Sequence, residues 1–171
     1  RGLGKTTIAK ALYNQLYHNF EAKCFLSNIK AETSNQPNAL IHLQKQLLSS
    51  ITNSTDINLG NIDQGITVLQ ERLRCKRLPL ILDDVDEISQ LTALATRRDL
   101  FGSGSRIIIT TRDQHLLNQL EVDEICSIDE MDDDEALELF SWHAFRNSYP
   151  SETFHQLSKQ VVTYCEGLPL V

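Results

Sequence analysis

Short continuous apolar runs alternate along this chain with longer stretches in which apolar residues recur every three or four positions. Ile8, Ala11, Leu12 and Leu16 fall at helical spacing and predict a helix over 6–18. Leu40, Leu43, Leu47, Leu48 and Ile51 predict a second helix, and Ile62, Ile66, Leu69 and Leu73 a third. Between and after them stand the strand-like runs. "KCFLSNI" (23–29) reads as a strand. "LPLIL" (78–82) is apolar throughout and ends abruptly in acid, as a fully buried parallel strand does. "SRIIITT" (105–111) is a second such run, rich in β-branched residues and preceded by the turn "GSGS"; Asp113 is the expected N-cap of a short helix after it. "EICSI" (124–128) reads as one more edge strand. Beyond it the pattern is helical only, over 132–145 and 151–165 with a turn at Pro150. Polar loops are expected at 34–39 and 52–61. Strands alternating with helices predict an α/β fold, with a mostly parallel sheet covered on both faces and a helical tail.

Composition narrows the picture. With 171 residues, 41% of them hydrophobic and 23% charged, the chain has the make-up of a soluble globular domain. Its net charge of -7 repels a phosphate backbone, so neither nucleic acid nor an anionic membrane is an expected partner. No apolar run is long enough for a bilayer span. Cys24, Cys75, Cys126 and Cys165 lack zinc spacing and read as buried reduced thiols, which suits a reducing compartment.

The chemistry concentrates in three places. "GLGKTT" (2–7) ends in the Gly-Lys-Thr with which a phosphate loop closes; the first glycine of the full motif would stand before Arg1. Gly2 and Gly4 let the backbone approach phosphate oxygens, and amides at the start of the following helix point at the anion. Lys5 would pair with the β- and γ-phosphates, the Thr6 hydroxyl would ligate Mg²⁺, and Thr7 would add a phosphate contact. The alternative is a glycine-rich turn with an incidental lysine. What argues against that is "LPLILDDVD", 78 positions on (83 − 5), with a strand and two helices between. Asp83 would hold Mg²⁺, directly or through water, and Asp84 would orient or deprotonate an attacking water. Arg112 ends the next buried run; it would sense a γ-phosphate or else pair with a carboxylate such as Asp113. No guanine-reading Asn-Lys-x-Asp occurs, which favours adenine. The acids at 132–135 look like a metal cluster, but Asp132 with Glu135 three residues on reads better as a helix cap. Leu137, Phe140, Trp142 and Phe145 read as core packing.

Taken in order, "GLGKTTIAKALYN", "LPLILDDVD", "GSGSRIIITTRD", "DDDEALELFSWHAF" and "EGLPLV" resemble the NB-ARC domain of plant disease-resistance proteins across essentially the whole chain. Asp86 and "CFLSNIKAETS" resemble the class that carries an N-terminal TIR domain. The resemblance implies a P-loop NTPase three-layer sandwich over 1–129, followed over 130–171 by the start of a helical ARC subdomain. The chain would then be a motif-to-motif piece of a longer receptor, with TIR before it and leucine-rich repeats after. The resemblance also implies ADP or ATP and Mg²⁺ as ligands. Gly2, Leu3, Gly4, Lys5, Thr6 and Thr7 would hold phosphate, Thr6 and Asp83 the metal, and Pro169 would lie near the adenine. Asp84 resembles the proposed catalytic acid and Arg112 the γ-phosphate sensor. Arg1 departs from the glycine common there, and the family's later histidine contact to ADP lies beyond Val171. The implied function is an ADP/ATP switch in a cytoplasmic or nucleocytoplasmic plant immune receptor that oligomerises with ATP bound. Two rivals stand beside it: an ATPase whose turnover is its function, and an interaction scaffold with a degenerate site.

Overall fold

The computed structural model describes residues 2–16, 20, 22–74, 76–94 and 97–169, with Arg98 described by its backbone only. The readings made on Arg1, Cys75, Leu170 and Val171, and the helix extension over Tyr17 and His18, lie outside the described residues. The chain forms two compact units: residues 6–123, and residues 124–169 together with 2–5.

In the first unit, strands β1 (Cys24–Leu26), β2 (Pro79–Val85) and β3 (Arg106–Thr111) form a parallel sheet in the order β1-β2-β3. Leu80 pairs with Cys24 on one side and Ile107 on the other; Leu82 pairs with Leu26 and Ile109. Strand residues alternate between faces. Cys24, Leu26, Leu80 and Leu82 therefore share one face, where they join a core built with α3 (Ala39–Thr52), α4 (Ile62–Leu73) and α5 (Ile88–Ala93). Phe25 and Ile81 point the other way, and the ring of Tyr13 in α1 (Lys5–Leu16) stands edge-on to Phe25 at 5.6 Å. Helices thus cover both faces, the three-layer arrangement of a P-loop NTPase.

One buried polar side chain ties the helical layer together. Gln44 of α3 is fully buried and donates through Nε2 to the carbonyls of Ile62 (3.0 Å) and Ala93 (2.8 Å), joining the start of α4 to the end of α5. Gly65 of α4 lies directly over it: a Cβ there would collide with the Gln44 amide.

The fold departs from the pattern along the chain at several points. "KCFLSNI" is a strand only to Leu26, because Asn28 takes a left-handed conformation (φ 51°) and the buried Ile29 opens a helix, α2 (Ile29–Asn35). The short helix α5 was not foreseen; Glu87 and Gln90 form its capping box. A 3₁₀ turn at Arg98–Leu100 leads toward β3, and α6 (Gln114–Gln119) starts at the foreseen Asp113 cap.

In the second unit "EICSI" is not a strand. Residues 124–127 are exposed, and strand propensity without a neighbouring ladder does not make a strand. Helix α7 (Asp133–Phe145) begins with the expected box: Asp132 accepts from the amides of Asp134 and Glu135, and the Glu135 carboxylate accepts from the Asp132 amide. The acids at 132–135 are accounted for by that cap. Helices α7 and α8 (Glu152–Cys165) bury Leu137, Ser141, Ser158 and Val162. Phe145 stacks on Phe154 at 5.6 Å. Trp142 is not core: it is 51% exposed, and its indole donates to Glu138 one turn back. The thiols also differ from expectation, since Cys24 is buried but Cys126 is exposed and Cys165 half-buried. Among the described residues no helix is long and apolar enough to cross a membrane.

Candidate functional site

Helix α1 starts at Lys5, so the turn before it sets where the first amides point. Gly2 (φ 91°) and Gly4 (φ 79°) both hold left-handed backbone that a side chain resists. Gly2, Leu3 and Gly4 are half-buried, as are Lys5 and Thr6, while Thr7 is exposed. In the same unit as the turn, Pro169 places its Cγ 3.9 Å from where a Gly4 Cβ would stand.

The unit of residues 6–123 brings together the other candidates. Near the end of β2 stands Asp83, whose side chain is fully buried. The Thr6 hydroxyl donates to both of its oxygens, at 2.9 Å (Oδ1) and 3.1 Å (Oδ2). A third contact comes from Thr110, near the end of β3, which donates to Oδ1 at 2.7 Å. A buried carboxylate is tolerable only with such donors. The same Thr110 oxygen accepts the Asp84 amide at 2.9 Å. Asp84 itself is left-handed (φ 55°), and the β2–β3 register breaks between Leu82 and Val85. That turn re-aims the Asp84 side chain, which meets the Arg112 guanidinium at 3.4 Å. Arg112 therefore pairs with Asp84, while Asp113 caps α6 by accepting from the His115 amide.

Asp86 closes the acidic segment and faces α2. Lys30 approaches it at 3.0 Å and Gln90 donates to it at 2.8 Å. Burial pushes the Asp86 carboxyl up, but the hydrogen bonds from Lys30 and Gln90 and the lysine's charge outweigh it and hold the group below the ordinary range. Gln90 also donates to Thr33, so α2, α5 and the strand end share one network.

The donors fit the ligands foreseen for them. A hydroxyl and a carboxylate converge at Thr6 and Asp83, both hard oxygen donors, and Mg²⁺ is bound by few protein oxygens, its other positions filled by water and phosphate. Among the described residues no group of three or more His, Cys, Asp or Glu gathers as a metal cage, which such a shared site does not need. Lys5, at the first position of α1, and the positive end of that helix would supply charge of the sign an anion needs.

Thr110 was missed in the sequence. Its signal was faint: a hydroxyl near the end of a β-branched run, in "TTRD", whose strand ends at the same sheet edge as "LDD".

Comparison with known proteins identifies the family. The model of the NB-ARC domain matches residues 1–149. The disease resistance protein RPV1 of Vitis rotundifolia is 44% identical over 170 residues, covering 99% of this chain and 12% of that protein. RUN1 from the same species is 41% identical, over 99% of this chain and 13% of its own length. The TMV resistance protein N of Nicotiana glutinosa is 39% identical, again over 99% of the chain and 15% of its own length. The chain thus spans a small fraction of the curated relatives it matches. With a parallel sheet between helices, a Gly-Lys-Thr helix start and a buried aspartate bound to that threonine, the chain belongs to the NB-ARC family.

Proposed function

We propose that the chain is an ADP/ATP-binding switch module of a plant immune receptor of the TIR class, acting in defence signalling in the cytoplasm or between cytoplasm and nucleus. The observation that carries this is the Thr6–Asp83 contact directly after the glycine turn, since it joins the phosphate-loop threonine to the acidic strand end. Residues 1–129 act as the nucleotide-binding subdomain and 130–171 as the start of the helical ARC subdomain. Gly2, Leu3, Gly4, Lys5 and Thr7 hold phosphate, Thr6 and Asp83 hold Mg²⁺, and Pro169 lies by the adenine. Bound Mg²⁺ neutralises charge on the β- and γ-phosphates.

The switch rests on Arg112. A γ-phosphate competes with Asp84 for its guanidinium; ADP offers no such competitor, so the two nucleotides meet different contacts. The TIR and leucine-rich-repeat parts of the same receptor are its partners, and the ATP state favours opening and oligomerisation of that receptor. Isothermal calorimetry tests the assignment: Arg112→Ala should lower ATP affinity relative to ADP by about tenfold or more, as loss of a charged hydrogen bond does. An unchanged ATP-to-ADP ratio removes Arg112 as the discriminating residue.

One observation keeps a turnover ATPase in view: Asp84 stands at this strand end with a quarter of its side chain exposed. Its ion pair with Arg112 favours slow hydrolysis instead. Steady-state phosphate release of about 1 per second or faster would favour the enzyme.

A further inference from the structure

The Thr110 hydroxyl does two jobs with one oxygen. Its proton goes to Asp83 Oδ1 at 2.7 Å, and its lone pair takes the Asp84 amide at 2.9 Å. Oδ1 thereby holds two donors, Thr110 and Thr6 at 2.9 Å, whereas Oδ2 has the longer 3.1 Å bond from Thr6. The carboxylate is asymmetric, and Oδ2 is the less committed oxygen. Asp84, meanwhile, needs an amide acceptor at the point where the ladder between β2 and β3 is interrupted, and its left-handed φ of 55° is a conformation that aspartate tolerates better than most residues but that still gains from a fixed partner. Both constraints meet on Thr110.

We infer that Thr110 is a positioning residue of the nucleotide site: its hydroxyl turns Asp83 so that Oδ2 serves the cation, and its acceptor oxygen holds the Asp84 turn that aims that carboxylate at Arg112. The inference rests on the nucleotide reading for its metal half and on the geometry alone for its backbone half. Threonine suits the post chemically. A β-branched residue keeps the strand, and a hydroxyl is a side-chain group that donates and accepts from one atom. Valine preserves the shape and removes both bonds; serine restores both.

The test compares the wild-type protein with Thr110→Val and Thr110→Ser. Binding of ADP is followed by calorimetry in EDTA and across a Mg²⁺ series. Thr110→Val should bind ADP in EDTA within about twofold of wild type, yet need about tenfold more Mg²⁺ for the same gain, in the range seen when partners of metal ligands are removed. Thr110→Ser should return to within about threefold of wild type. In the nucleotide-free protein, hydrogen exchange read by NMR should speed at the Asp84 amide by about tenfold or more in Thr110→Val, while Leu80 and Leu82 stay protected. An unchanged Mg²⁺ requirement in Thr110→Val overturns the metal half, as does an equal shift in the valine and serine variants. An unchanged Asp84 exchange rate overturns the backbone half. If the wild-type protein, shown folded by that same spectrum, binds no nucleotide, the nucleotide reading falls and the metal half with it; the exchange result then stands or fails by itself.

Discussion

The sheet unit and the helical pair handle apolar residues in opposite ways. In β2, Leu80, Ile81 and Leu82 are completely buried, and α3 sinks Leu43, Leu47 and Leu48 into the core that Leu80 and Leu82 share. In α8, Phe154, Leu157, Val161 and Tyr164 remain exposed, Leu157 at 57% and Tyr164 at 81%. The two helices meet instead through a narrow seam of Leu137, Ser141, Ser158 and Val162. Leucine contributes to stability only where folding removes it from water, so the same residue type has different weight in the two regions. The sheet unit is where stability is concentrated, and it is also where the Asp83 carboxylate can be held buried.

The sharpest way to break this contrast is a matched pair of truncations. Leu80→Ala should destabilise the protein by about 2–5 kcal/mol, whereas Leu157→Ala should cost under about 0.5 kcal/mol. Urea unfolding of both measures it; similar losses would erase the distinction. Next comes Gly65→Ala. Alanine in an exposed helix is worth about 1 kcal/mol over glycine. Here the methyl would strike the Gln44 amide, so the substitution should instead destabilise by about 1–3 kcal/mol. A stabilised Gly65→Ala protein would mean that Gln44 is not fixed. In the helical pair, local signals matter more than burial, and Asp132→Ala should cost about 1 kcal/mol through loss of the α7 cap.

The smallest effect concerns Lys30 and Asp86. The Asp86 carboxyl is held below its ordinary value of 3.8, so its contribution is present above that pH and is lost as pH falls through the lowered value. Lys30→Met should therefore lower stability slightly near neutral pH, and the difference from wild type should shrink below pH 3.8. Both partners are partly exposed, at 51% and 35%, so the effect is modest and salt-sensitive. A difference that persists unchanged into acid would show that Lys30 acts by packing.

The same contrast explains what the sequence disclosed. β2, α3 and α4 were legible because their apolar period is set by the core they build; β3 was legible as a strand, but it is half-buried rather than the fully buried run expected. So were the caps at Asp113 and Asp132, since a cap is a local bond. α2 and α5 were not: each is short, and each depends on a detail that a pattern does not carry, a left-handed Asn28 in one and the Glu87–Gln90 box in the other. "EICSI" had the composition of a strand but no partner edge. Trp142 had the composition of a core residue but faces solvent. At the site, Lys5, Thr6 and Asp83 announce themselves by spacing. Thr110 reaches Asp83 across 27 residues, a distance that only the β2–β3 pairing closes.

The most direct measurement of the central claim is calorimetric titration of ADP and ATP, with Mg²⁺, into the wild-type protein and Lys5→Ala. Saturable binding is expected for the wild type, falling by about a hundredfold or more in the variant, since a charged phosphate partner is lost. Equal binding by the two proteins, or none by a folded wild type, would contradict that claim.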